Sequence, residues 1–374
     1  MLNIVVTKPI FWMLILSGCP GSDPEKTSTP EDSDSGSDLS PSDDTGFDDA
    51  RFSAQALPES LRSGGYIDST FINHAGDRIY FLHSIMAPKV ISGKATSDSC
   101  SHMQASLLPG HTSAPDLEWN SDLYYVQWEG SAWSEPNNLG SNINSLGMEC
   151  CIWLNHEETE IIFYTLSDLD SDDVDEDIGL RPTGNYRATR PDRDAAWGVP
   201  EPMPGEYGIE AQGTDWWRTD IEKAPSGNLY LWERTPEGED LLVFGERTGG
   251  TDTEPTYARP VNIAGTTSAD TQIWVNDSET RLVFNHRSTN METALYTRIR
   301  NSPTDPWGEP TEVPTTEFAD STGNNVWGEP SFDATGEFLI FTRFDTSEAQ
   351  CWSSDIMFAA GDANRGFSAP VVLN

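Results

Sequence analysis

From about residue 66 onward the chain is built of short apolar runs broken by polar turns. Ile79-Tyr80-Phe81, Ile161-Ile162-Phe163, Leu229-Tyr230-Leu231, Leu282-Val283-Phe284 and Phe338-Leu339-Ile340-Phe341 are the clearest runs. Each is entered from a polar or glycine-containing stretch, respectively Ala75-Gly76-Asp77, Glu158-Thr159-Glu160, Ser226-Gly227-Asn228, Ser278-Glu279-Thr280 and Thr335-Gly336-Glu337. β-Branched and aromatic residues behind turn formers predict strands entered from tight turns.

A further strand follows each of these at Asp122-Leu123-Tyr124, Asn185-Tyr186-Arg187, Leu241-Leu242-Val243-Phe244, Ala294-Leu295-Tyr296 and Asp355-Ile356-Met357-Phe358. Then comes an aromatic residue with a proline three residues later: Trp133 with Pro136, Trp197 with Pro200, Tyr257 with Pro260, Trp307 with Pro310 and Phe367 with Pro370. The aromatic recurs at steps of 64, 60, 50 and 60 residues, so one unit runs through the whole segment. An inner strand precedes each turn, as in Cys151-Ile152-Trp153-Leu154 and Gln272-Ile273-Trp274-Val275, and an outer strand follows each proline, where an edge tolerates the missing donor. Four strands per unit and five units predict an all-β fold, a five-bladed β-propeller of four-stranded blades. A pair of β-sandwiches would not explain a single unit repeated throughout.

These units resemble the WD-repeat-like, TolB-type propeller family. The local matches are strongest from Ala188-Thr189-Arg190-Pro191 through Pro200 and from Trp133-Ser134-Glu135-Pro136 through Asn144. The resemblance covers about residues 66 to 374, with a degraded turn at Asn155-His156-Glu157-Glu158 and a weak third copy. It implies binding or assembly rather than one chemistry.

The chain ahead of the repeats predicts an address. Lys8 and the apolar Ile10 to Leu16 form an export signal too short to span a bilayer as a mature helix. It ends in Leu16-Ser17-Gly18-Cys19, which resembles the bacterial lipoprotein lipobox and implies lipidation of Cys19 after removal of residues 1–18. Pro20 follows, and the absence of Asp there points to the outer membrane rather than the inner one. Residues 19–65 are rich in Ser, Asp, Pro, Thr and Gly, so they predict a disordered, self-repelling tether to a propeller at 66–374. The expected product is a lipid-anchored envelope module, touching the membrane through its anchor and taking an envelope protein or a carbohydrate as ligand.

Charge narrows the partners. The net charge of −39 offers no basic footprint, which argues against nucleic acid and suits divalent cations, cationic partners or a salty habitat. One acid stands near the entrance of each inner strand, at Asp68, Glu149, Asp215, Asp270 and Glu329, so a closed ring would place them around the central funnel. They are the candidate ligand-binding residues. In the alternative reading the protein is a surface glycosidase using such carboxylates as acid and base or nucleophile.

Long insertions, about Met86 to Glu118 in blade one and Ser167 to Pro182 in blade two, point to function on the face that carries the entrances of the inner strands. Within the second, Asp168, Asp170 and Asp172 alternate as in calcium loops, although Asp173 and Gly179 stand where such loops place Gly and Glu; Ca²⁺ is the candidate cofactor. Four of the six histidines, His74, His83, His102 and His111, fall in blade one at spacings that match no zinc pattern and read as structural or surface groups. No phosphate loop, nucleophile elbow or His-Glu-x-x-His occurs.

Lipidation of Cys19 leaves Cys100, Cys150, Cys151 and Cys351 in an oxidising compartment. A Cys100 to Cys351 bond would clasp the last blade to the first, leaving Cys150 and Cys151 to each other; pairing of Cys100 with Cys150 or Cys151 is the competing connectivity. Adjacent Cα atoms, about 3.8 Å apart, sit below the usual disulfide range, so a vicinal bridge would need a distorted turn.

Overall fold

In the computed structural model, residues 49–62, 65–84, 108–112, 121–166, 181–209, 217–237, 239–287, 293–313, 325–345, 353–362, 366–368 and 370–373 are described. Blade one consists of Tyr66–Ile72 (β1), Arg78–Ser84 (β2), Asp122–Gln127 (β3) and Asn137–Asn138 (β4), and blade two of Met148–Leu154 (β5), Glu160–Leu166 (β6), Gly184–Thr189 (β7) and Glu201–Pro202 (β8). Blade three has Trp217–Lys223 (β9), Leu229–Arg234 (β10) and Asp240–Gly245 (β11); a hairpin of Arg247–Gly250 (β12) and Pro255–Tyr257 (β13) intervenes before its outer strand, Val261–Asn262 (β14). Blade four is Asp270–Val275 (β15), Arg281–Arg287 (β16), Thr293–Ile299 (β17) and Thr311–Glu312 (β18). Blade five is Asn325–Phe332 (β19), Phe338–Asp345 (β20) and Ser353–Asp362 (β21), which pairs with both Gly366–Phe367 (β22) and Val371–Val372 (β23). The five-bladed propeller is thus the observed fold, and every outer strand opens directly after its proline. The β12–β13 hairpin is the departure that made blade three the weakest copy.

All neighbouring strands within a blade are antiparallel, and the inner strands pack around one axis in the order β1, β5, β9, β15, β19 and back to β1. The repeated Trp-Gly has a physical cause in blades two and four. Arg190 lies over Trp197 and Arg300 over Trp307, each at 4.0 Å from the ring centre. The following glycines donate to Thr189 O at 2.8 Å and Ile299 O at 2.9 Å. A Cβ on Gly198 or Gly308 would come within 2.9 or 2.8 Å of those same carbonyls, so a side chain there would break the approach.

The folded part begins ahead of residue 66, the boundary expected from composition. Ala50–Phe52 and Glu59–Arg62 are short helices, and Phe52, Leu57 and Leu61 are buried against blades one and five. Phe52 stacks on Phe358 at 4.1 Å, while Trp133 Nε1 donates to Arg51 O at 2.7 Å. Gln55 N and Leu57 N donate to Val372 O and Leu373 O at 3.0 and 2.8 Å, so this segment bridges the seam between last and first blade by backbone pairing. The apolar residues responsible are too few and too widely spaced among Ser, Asp and Pro to stand out in the sequence.

Candidate functional site along the propeller axis

Each inner strand slips its register against the second strand at one place, and the residue there has a left-handed backbone: Ser69 (φ 53°), Cys151 (62°), Asp220 (50°), Gln272 (48°) and Glu329 (58°). A β-bulge adds a residue to one strand and re-aims its side chain. None of the five is glycine, so each holds a conformation costing on the order of 1 kcal/mol that its surroundings must over-determine. All five line both of two small axial cavities, of about 50 and 30 Å³, and so form the constriction between them.

The ring is knitted from blade to blade. Cys151 N donates to Ser69 Oγ at 2.9 Å, and the Asp220 carboxyl lies near the Cys151 thiol. Gln272 Nε2 donates to Glu329 Oε1 at 3.1 Å while Glu329 N donates to Gln272 Oε1 at 3.2 Å. The Glu329 and Asp68 carboxyls lie close enough to disfavour each other's charge, and Tyr66 OH donates to Asp68 Oδ2 at 2.6 Å. Two neighbouring carboxyls disfavour each other's ionisation. Burial pushes Asp68 up to about 6 and Asp220 up to about 7, and raises Glu329 far above the usual carboxylate range. Cys150 and Cys151 are free thiols rather than a vicinal bridge. Burial pushes Cys150 up to about 11 and Cys151 well above its ordinary value, so neither presents the thiolate a nucleophile needs.

Of the five acids expected around the funnel, Asp68 and Glu329 meet at this ring. Glu149 lies two residues before the bulge and is fully buried, accepting from Ser145 N at 3.0 Å with Arg181 Nη1 3.7 Å away; burial, partly offset by these groups, pushes it up to about 7. Asp270 accepts from Thr267 N at 2.7 Å and lies 2.6 Å from His286 Nδ1. Asp215 lies outside the described residues, as do Cys19, Cys100, Cys351 and the calcium-loop candidates Asp168, Asp170 and Asp172. The described third and fourth ring members are instead Asp220 and Gln272. Aligning the blades on their acids compares different rungs of the inner strands, and a slip of one residue turns a side chain to the other face. The signal available was position: each ring residue precedes Thr70, Ile152, Ile221, Ile273 or Pro330 and lies five residues before the tip of the turn.

Past the ring, towards the turns joining first and second strands, the channel widens into a cavity of about 310 Å³. Phe71, Trp153, Trp274 and Phe332 line it together with Glu222, Lys223 and Arg281. Among the described residues this is the larger axial opening, and it lies at the end opposite the face expected to carry function. Buried acids brace its rim. Glu158 accepts from Asn73 Nδ2 at 2.7 Å, Arg78 Nη1 at 3.2 Å and Tyr80 OH, tying the blade-two turn to blade one. Glu279 does the same for blades four and three, accepting from Asn228 Nδ2 at 3.0 Å and Tyr230 OH at 2.7 Å.

No family model matches the chain, and no curated protein matches it in sequence. Solved structures similar to it include TolB from Acinetobacter baumannii (9% identity, 83% of this chain and 57% of that one, TM-score 0.40). A Bacteroides ovatus xyloglucan-locus protein, GH43B, gives 13% identity over 86% of this chain and 56% of that one, with a TM-score of 0.45. An α-L-arabinofuranosidase from Podospora anserina gives 12% identity over 83% and 96%, with a TM-score of 0.44. The likeness is one of fold. The chain spans a little over half the length of the first two, and at these identities its ligand and chemistry rest on its own side chains.

Proposed function

We propose that the protein is a lipid-anchored envelope propeller that binds a carbohydrate in the cavity ringed by the turns between first and second strands. The observation that carries this reading is the lining of that cavity: Trp153 and Trp274 beside Phe71 and Phe332, with Glu222, Lys223, Asn276 and Arg281 at hand. Phe71, Trp153 and Phe332 are largely buried, so the partly exposed Trp274, beside converging charged and amide groups, is the ring placed to meet a sugar, which presents apolar ring faces and equatorial hydroxyls, and the volume matches small-ligand sites. Lipidation at Cys19 in the outer membrane, with the acidic chain behind it as spacer, belongs to the same proposal.

The second reading, a glycosidase, draws on Asp68 and Asp220, whose carboxyls stay protonated nearer neutral pH, as a general acid requires. It is the weaker one because these groups line the narrow part of the channel, a cavity of about 50 Å³, where Asp68 is engaged with Tyr66. One experiment addresses both. Membrane fractions carrying the chain or its Cys19→Ala variant are tested on a panel of oligosaccharides for binding and for released product. The expected result is membrane retention that needs Cys19, and binding without cleavage. Release of reducing ends by the unaltered chain would establish the glycosidase, and binding to none of the panel would remove the carbohydrate reading.

A further inference from the structure

The residue five places beyond each ring member is His74 in blade one, His156 in blade two, Pro225 in blade three, Asp277 in blade four and Ala334 in blade five, and all five border the 310 Å³ cavity. Three of them converge. His156 Nε2 lies 3.0 Å from Asp277 Oδ1, His74 Nε2 lies 3.6 Å from Asp277 Oδ2, and the two imidazoles stack with centres 3.8 Å apart. One ligand atom from each of the three residues lies within 4.8 Å of the others.

We propose that His74, His156 and Asp277 form a divalent transition-metal site, best suited to Zn²⁺, whose open coordination position faces the cavity. A tetrahedral ion with ligands at about 2.0–2.1 Å sets neighbouring donor atoms about 3.3 Å apart; His156 Nε2 and His74 Nε2 stand 3.0 and 3.6 Å from different oxygens of the Asp277 carboxylate, and a turn of that carboxylate brings one oxygen between the two nitrogens. Two imidazole nitrogens and one carboxylate oxygen are donors for zinc, copper, nickel or iron, whereas calcium and magnesium take oxygen sets. Three protein ligands with a free fourth place are the arrangement of sites that bind water or an exchangeable ligand. The turns that carry the two histidines are held to each other by Glu158, which takes Asn73 of the His74 turn while belonging to the His156 turn itself. Linear spacing gave no zinc pattern because each ligand comes from a different blade. The site stands independently of the carbohydrate proposal, since the ion would bind whether or not a sugar does.

The test uses the full-length chain without a histidine tag, stripped with chelator and then equilibrated with Zn²⁺ or Co²⁺. The expected stoichiometry is one zinc per chain. Affinity should fall at least about 100-fold in a His74→Gln, His156→Gln double variant and at least about 10-fold in Asp277→Asn, taking the cost of lost outer-shell partners as a lower bound. The Co²⁺ form should show the visible bands of a tetrahedral nitrogen and oxygen set without thiolate charge transfer, a readout that stands even if a variant fails to fold. Absence of stoichiometric zinc, unchanged affinity in the folded double variant, or cobalt–thiolate bands placing the ion at Cys150 and Cys151 would each overturn the assignment.

Discussion

The five inner strands and the turns that follow them carry two rings of residues along one axis, five positions apart, and the two meet water oppositely. At the bulges, Ser69, Cys151, Asp220, Gln272 and Glu329 turn towards one another, with Cys151 bonded to Ser69 and Gln272 to Glu329, and leave only cavities of about 50 and 30 Å³. At the turns, His74, His156 and Asp277 border a cavity of about 310 Å³, with side chains 38, 39 and 56% exposed. Backbone geometry is shared within each ring, so the contrast comes from burial. A buried carboxyl keeps its proton and bonds its neighbour; an exposed imidazole or carboxylate is free to meet a solute. The narrow ring therefore suits a structural role, and the recognition proposed above falls to the open mouth.

The largest expected effect breaks the support of the mouth. Glu158→Ala removes the acceptor shared by Asn73, Arg78 and Tyr80 and leaves Arg78, which is itself buried, with one carboxylate fewer. Arg78 keeps Asp194 and Gln127, so the loss should be about 3 kcal/mol, the low end for a severed buried pair. Urea unfolding measures it, and a loss below about 1 kcal/mol would show that the two turns hold themselves.

A smaller effect sharpens the account of the ring. Asp68, Glu149 and Asp220 have folded values of about 6, 7 and 7, raised chiefly by burial, so the folded state binds protons that the unfolded chain has released. The stability they contribute is full below about pH 4, falls as pH rises through 4 to 7, and is level above that. Asp220→Asn should therefore be more stable than the unaltered chain at pH 8, by on the order of 1–3 kcal/mol, and close to it at pH 4. Thermal melts at the two pH values check this; a variant less stable at pH 8 would mean that the ring holds Asp220 as an anion.

The two rings also mark how far the sequence could be read. Strand, turn and proline repeat in the open, because each blade buries the same faces and opens its outer strand after a proline, as at Pro200 and Pro310. The bulges do not, because five different polar residues occupy them: nothing in Ser69, Cys151 or Gln272 announces a left-handed backbone where glycine would be the usual choice. Acids were visible and drew attention to Glu149 and Asp270, which the fold commits to Ser145, Arg181 and His286. The histidine cluster was hidden for another reason, since its members come from three different blades and Asp277 of blade four reaches His74 and His156 only across the axis of the closed ring.

One measurement tests most directly whether recognition belongs to the mouth: calorimetric titration of the best-binding oligosaccharide into Trp274→Ala and Asp220→Asn variants. The account predicts that loss of the Trp274 face weakens binding at least about 10-fold, in line with the 1–3 kcal/mol that a stacked ring contributes elsewhere, while Asp220→Asn leaves it unchanged. Binding abolished by Asp220→Asn and untouched by Trp274→Ala would contradict it and return function to the carboxyl ring.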